Sequence, residues 1–333
     1  MCQYSCNEGL ANEWHLVHLG ARAVGKAGLV IAEATAVTPE ARISPKDLGI
    51  WSDAHIEPLQ RAFSFIAQQG SVPGIQLAHA GRKASTSEPW KGGRPVGPED
   101  GGWVPIYAPS ALAFNDGFQV PQALTVLQIS AVVQDFVTAA RRAQAAGAKV
   151  IEIHSAHGYL LHSFLSPLSN QRKDEYGGTF ENRTRMLREV VTSVRKVWPE
   201  QYPLFVRISA TDWTEGGWTV DDSVALAKIL KSLGVDVVDC SSGGAVPHVK
   251  IPVGPGFQVP FAQRIRCESG ILTGAVGMIT EAAQADQIIR TGQADLVFLA
   301  RQLLREPYWP LHAARALGQE IQWPPQYERA KLK

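Results

Sequence analysis

One unit recurs along this chain, and it limits what the chain can become. A short run rich in Val and Ile ends in a polar residue. A loop, a helical stretch, a glycine and the next run follow. The runs are Gly28–Glu33, Val72–His79, Lys149–His154, Leu204–Ser209, Val235–Cys240, Ile271–Thr273 and Leu296–Leu299. Each is short and nearly all apolar, the pattern of a strand buried on both faces. The segments between them read as helices. Thr125 can N-cap one, with Gln128 three residues on and Leu124 as a staple. Ile129, Val132, Val133, Phe136 and Ala140 follow at helical spacing, and Gly147 ends the stretch. Gly234 and Gly292 close the helical stretches Asp222–Leu233 and Glu281–Thr291 in the same way. Strict alternation of strand and helix gives right-handed crossovers and a parallel sheet.

Seven such strands suggest an α/β fold of the (β/α)8 TIM-barrel type with one strand unaccounted for. The competitor is a doubly wound open sheet. Two features favour the barrel. No Gly-x-Gly-x-x-Gly turn follows an early strand. Polar residues also close nearly every run: Glu33, Gln76 and His79, His154, Arg207, Asp239, Thr273 and Arg301. Barrel enzymes build their sites on that rim, although a strand end meeting solvent is polar anyway. A single domain over residues 1–333 is expected, with residues 85–121 a lid-like insertion. That stretch is the longest without periodicity and carries Trp90 and Trp103.

Composition narrows the partners. Lys+Arg number 32 and Asp+Glu 31, a net charge of +1, which gives no general pull toward nucleic acid or anionic lipid. No apolar run is long enough for a membrane span. The four cysteines, Cys2, Cys6, Cys240 and Cys267, are too sparse for a disulfide scaffold. A reduced, cytoplasmic setting is expected.

The residues able to carry chemistry lie past the strand ends. His154 and His157, three apart, can converge on one oxygen atom. Tyr159 returns to the side of His157 if the backbone is extended there. Two donors on a carbonyl and a phenol nearby suit the polarising and protonation of an unsaturated carbonyl. Each histidine alone reads more readily as a packed structural residue. A metal site would need a third ligand from His79 or Asp239, which no spacing supports, so no metal is expected. Gly274 and Gly277 after one late strand and Arg301 after the next fit a phosphate site, or plain turn glycines. Gln76 and Arg207 can hold the polar edge of a planar heterocycle, or form a buried polar pair.

Together these residues resemble the Old Yellow Enzyme family of flavin-dependent ene reductases. The nearest resemblance is to its thermophilic-like subclass, which includes bacterial xenobiotic reductases. The matching stretches are Met1–Ser5, Gly49–Asp53, Gln76–Lys83, His154–Tyr159, Phe164–Asn170 with Arg172, Asp174–Gly178, Gly274–Ile279 and Gln326–Arg329. The resemblance implies an FMN-bearing barrel reduced by NADPH or NADH. An electron-poor alkene (an α,β-unsaturated carbonyl, a maleimide, a nitro compound) would then take hydride from the flavin at its β-carbon. By the match, His154 and His157 bind the substrate's oxygen, and Tyr159 donates the proton to the α-carbon. Gln76 and Arg207 hold the flavin's pyrimidine edge, and Ala34 offers its backbone to the ring. Gly277, Met278, Ala300 and Arg301 line the phosphate and ring. Met1 and Cys2 lie at the flavin, Cys2 tuning its potential, and Tyr4 contacts substrate. Arg329 reaches into a neighbouring subunit's site, which implies a homodimer or a dimer of dimers.

The sequence departs from the family's pattern twice. The residues matching Met1-Cys2 follow the first barrel strand in family members, and that strand and its preceding hairpin are absent here, which would leave two strand edges unpaired. An ordinary enzyme lacking its first strand is the expectation. A catalytically impaired flavin- or phosphate-binding relic is the alternative. The loop Ser87–Tyr107 is also longer than in compact bacterial members, so no substrate preference is carried over.

Overall fold

The computed structural model describes residues 1–331; the last two residues of the expected 1–333 domain lie outside the described residues. Seven parallel strands pair in chain order: β1 Leu29–Ala36, β2 Val72–Ala78, β3 Val150–Ser155, β4 Leu204–Ser209, β5 Val237–Ser241, β6 Leu272–Ala275 and β7 Leu296–Val297. These are the seven expected runs, with shifted ends. β1 runs on to Ala36 because a register shift between Ala32 and Ala34 absorbs Glu33 and lets pairing with β2 resume. β7 stops at Val297, not Leu299, because β6 is its only partner. The sheet is a barrel wall whose two free edges, among the described residues, are β1 and β7.

The gap between those edges is bridged by packing rather than by a ladder. Helix Glu13–Val24 starts at an Asn12–His15 capping box and lies beside β1. Its Arg22 donates Nη2 to the carbonyl of Leu303, beyond β7, across 2.8 Å. Gly25 at the helix end comes so close to Pro307 that a Cβ there would collide with the Pro307 carbonyl. Only a residue without a side chain permits that seam.

The other helices form the outer layer as expected. Thr125 caps helix Val126–Ala145 through Gln128, and Ile129, Val132, Val133, Phe136 and Ala140 are all buried against the sheet. The helices expected at Asp222–Leu233 and Glu281–Thr291 run Val220–Ser232 and Ala282–Arg290. The core is the apolar layer between these helices and the strands, from Leu19 and Phe63 round to Ile265 and Ile288. Residues 85–121 form a folded excursion. Tyr107–Ala108 pairs with Gln122–Ala123, and short 3-10 turns lie at Pro89–Lys91 and Pro98–Asp100. Trp103 is sandwiched against Arg42, whereas Trp90 is 67% exposed and meets Tyr4 edge-on.

Candidate active site at the barrel mouth

Parallel register assembles the site. Ala34 pairs with Gln76, and Gln76 with Glu152, along one ladder crossing β1, β2 and β3. His154 pairs with Arg207, Arg207 with Asp239 and Asp239 with Gly274 along the next, crossing β3 to β6. Because side chains alternate in a strand, Glu152 and His154 share the face of β3 that turns to the barrel interior. Residues far apart in sequence thus meet at one rim.

Glu152 was not among the sequence-derived candidates, and it organises the floor of the site. It accepts a hydrogen bond from Gln76 Nε2 at 2.6 Å and is fully enclosed. Burial, and then the neighbouring Asp239 carboxylate, push its carboxyl up to about 8. Asp239 is pushed up by burial too, with Arg207 opposing. Two carboxyls and one guanidinium in a dry site share a proton between the acids. Arg207 Nε stands 3.2 Å from Asp239 Oδ2 but is not aligned for a hydrogen bond. The signal of Glu152 in the sequence was an ionisable residue inside the apolar run Val150–Ile153.

Above this floor sit the imidazoles. His154 Nε2 faces His157 Nδ1 at 3.4 Å, and the rings meet edge to face with centroids 5.1 Å apart. Tyr159 completes the cluster, its ring 5.1 Å from His154 and 6.5 Å from His157. The backbone expectation needs correction: the chain is not extended between them. His157 and Gly158 both have left-handed φ, +61° and +73°. The turn they make, not strand alternation, brings Tyr159 back to the histidines.

That turn is held from several sides. His157 N–H donates to Ser209 Oγ at 2.9 Å, and Gly158 N–H donates to His162 Nδ1 at 2.8 Å. Lys83, which the sequence analysis gave no role, donates Nζ to the carbonyls of His157 and Gly244 at 2.7 and 2.8 Å. A Cβ on Gly158 would strike the Gly244 carbonyl. Such over-determination offsets the cost of a left-handed histidine.

Electrostatics fix the protonation states. Burial, and then Arg207, hold both imidazoles well below the usual histidine range, so they are neutral at pH 7. Burial raises the Tyr159 phenol well above 10, and Cys2 and Tyr4 add to this. It therefore keeps its proton at pH 7. Burial raises the Tyr4 phenol in the same way, and the neighbouring Cys2 adds to this. Gln3 N–H donates to Glu33 Oε1 at 2.9 Å, which ties the Met1–Tyr4 segment to the bulge of β1. Cys2 lies against the Ala34 backbone, and Met1 is exposed beside it.

The other expected cofactor residues lie on the late strands. Gly277 (φ +124°) and Met278 (φ +51°) make a tight turn after β6; a Cβ at Gly277 would come within 2.9 Å of Gln258 Nε2. Gly274 is needed for packing, since a Cβ there would collide with the Phe298 ring. Ala300 precedes the short helix Arg301–Arg305, and Arg301 is exposed with no ion pair among the described residues. Arg329 lies in the surface turn Pro325–Ala330 and joins none of these. A cavity of about 640 Å³ lies between helix Trp309–Ala316 and the C-terminal tail and holds none of the expected site residues. A smaller cleft adjoins Tyr159, between Ala34, Asp47 and Ala78. Among the described residues no three metal-ligating side chains converge.

Residues 1–320 match the model of the NADH:flavin oxidoreductase / NADH oxidase family. The chain belongs to this family. It is 52% identical over 331 residues to the NADPH dehydrogenase of Geobacillus sp. (strain WCH70), covering 99% of this chain and 92% of that one. With the NADPH dehydrogenase of Bacillus subtilis (strain 168) it shares 48% over 331 residues, again 99% and 92% of the two chains. Among solved structures, morphinone reductase in complex with tetrahydroNAD superposes with a TM-score of 0.77 at 26% identity, over 98% of this chain and 87% of that one. The old yellow enzyme homologue from Zymomonas mobilis gives 0.77 at 25%, over 96% and 87%. These neighbours establish the barrel, and with the family the expected Old Yellow Enzyme kinship. The chain is a flavin oxidoreductase with FMN as prosthetic group and NADPH or NADH as reductant.

The residues present fit FMN. Arg207 Nε and His154 Nδ1 are buried without hydrogen-bond partners among the described residues, and Glu152 Oε2 and Asp239 Oδ1 are likewise open. Buried polar atoms left so are rare unless a ligand completes them. Arg207 and Gln76 would hold the polar edge of the ring, and Arg301 with the Gly277–Met278 turn the phosphate. When bound, FMN supplies two-electron transfer between the nicotinamide and a second substrate.

Proposed function

We propose that the chain is an NADPH-dependent ene reductase that reduces activated C=C bonds. The observation that carries this reading is the convergence of His154, His157 and Tyr159 at the same rim as Gln76 and Arg207. Two neutral imidazoles facing one point suit a substrate's carbonyl or nitro oxygen, and they withdraw electron density from the conjugated alkene. Reduced FMN, when bound, would supply the hydride to the β-carbon, and Tyr159 Oη would give the proton to the α-carbon. The Lys83 amine lies 5.5 Å from the Tyr159 ring, and burial and then Arg82 hold its ionisation down to about 7. α,β-Unsaturated carbonyls, maleimides and nitroalkenes all present this pattern.

The remaining assignments follow from the same reading. Tyr4 and the lid residues 85–121 bound the substrate side, with Trp90 against Tyr4 supporting a cover over the mouth. Arg329, exposed and without an ion pair among the described residues, reaches a second copy's site in a homodimer or dimer of dimers. Four free cysteines suit a cytoplasmic setting, and no helix is long and apolar enough to cross a membrane. The impaired-relic reading is disfavoured by the complete histidine and tyrosine cluster. Anaerobic NADPH-reduced enzyme mixed with 2-cyclohexenone decides between them. The ene reductase regains its oxidised flavin spectrum and releases cyclohexanone. A relic that binds flavin without bleaching under NADPH, or a reduced enzyme that no activated alkene reoxidises, contradicts the proposal.

A further inference from the structure

Ser241 ends β5 and is 5% exposed. Its Oγ lies 2.7 Å from His157 Nε2, and this is its only side-chain hydrogen bond among the described residues. A hydroxyl can donate or accept, but a buried O–H without an acceptor costs about 1–3 kcal/mol. Ser241 therefore donates, and His157 Nε2 accepts. A neutral imidazole that accepts at one nitrogen carries its proton on the other.

We propose that Ser241 is a positioning residue that fixes His157 in the Nδ1–H tautomer, making it a standing donor to the substrate's oxygen. The proposal rests on the reading of the histidine pair as an oxygen site. Nδ1 is the atom that faces His154 Nε2. An oxygen that enters between the rings takes the His157 Nδ1–H that otherwise points at His154 Nε2. Both rings are neutral, as this arrangement requires.

The test is imidazole ¹⁵N NMR of the holoenzyme labelled at histidine, with phenol as the oxygen probe. In the unsubstituted enzyme His157 Nδ1 should be protonated and Nε2 bare. Ser241→Ala should lose that signature and weaken phenol binding about tenfold, one hydrogen bond's worth, with FMN content unchanged. Ser241→Thr should restore both. A protonated Nε2 in the unsubstituted enzyme, or an Ala variant with unaltered tautomer or unaltered phenol affinity, overturns the proposal. The underlying reading is tested separately. If His154→Ala/His157→Ala holoenzyme binds phenol as tightly as the parent, the oxygen site fails, whatever the tautomer of His157.

Discussion

Gln76 donates its side-chain amide to Glu152 across 2.6 Å, so a residue expected to face the flavin is anchored by an acid the barrel has buried beneath it. The amide oxygen of Gln76 is left to turn outward. Arg207 is paired with Asp239 by charge at 3.2 Å, without an aligned hydrogen bond. The cradle is therefore held by a pair of carboxyls whose charge the fold suppresses.

The raised Glu152 carboxyl makes stability depend on pH. The folded state keeps a proton up to about pH 8, whereas the unfolded chain releases it near 4.5, the ordinary value for a glutamate. Between those values the native state binds more protons, so stability falls as pH rises. In urea unfolding, the parent should lose stability relative to Glu152→Gln on going from pH 5.5 to 7.5. Parallel profiles would remove the shared proton from the account.

Tyr159→Phe tests the proton donor. Removing a positioned general acid should lower the rate of alkene reduction by about 10²–10⁴-fold. Reduction by NADPH and phenol binding should stay near the parent's. Because burial raises the phenol well above 10, Tyr159 itself should put no break in the alkene step from pH 6 to 9, whereas Lys83, held down to about 7, can put one there. A break near pH 7 that persists in Lys83→Met would point to another donor.

Gly158→Ala tests the turn that brings Tyr159 to the histidines. Its φ of +73° alone costs a side-chain-bearing residue about 1–2 kcal/mol. The collision with the Gly244 carbonyl adds to this. The variant should unfold at lower denaturant by more than about 2 kcal/mol, or keep its fold and lose phenol binding. Parental stability and affinity together would show that the turn is not constrained.

Much of this was legible in the sequence because it depends on local periodicity. Seven apolar runs gave seven strands, and the Thr125–Gln128 box gave a helix start in place. His154, His157, Tyr159, Gln76 and Arg207 were legible as rim residues because strand ends fix where a barrel's site lies. What was not legible depends on register and loop geometry. Glu152 and Ser241 act through partners 76 and 84 residues away in sequence. The left-handed turn at His157 is imposed by Lys83, Ser209 and Gly244, which no local pattern joins to it. Glu33 was read only as a polar strand end. Its bulge and its bond to Gln3 appear once β1 and β2 are paired.

The most direct test of the whole account is the visible spectrum of the purified chain, supplied with FMN, before and after one equivalent of NADPH without oxygen. A flavin clasped between Arg207 and Arg301 should give a yellow protein that bleaches and stays bleached until an activated alkene is added. A colourless protein that releases no flavin on denaturation would contradict it.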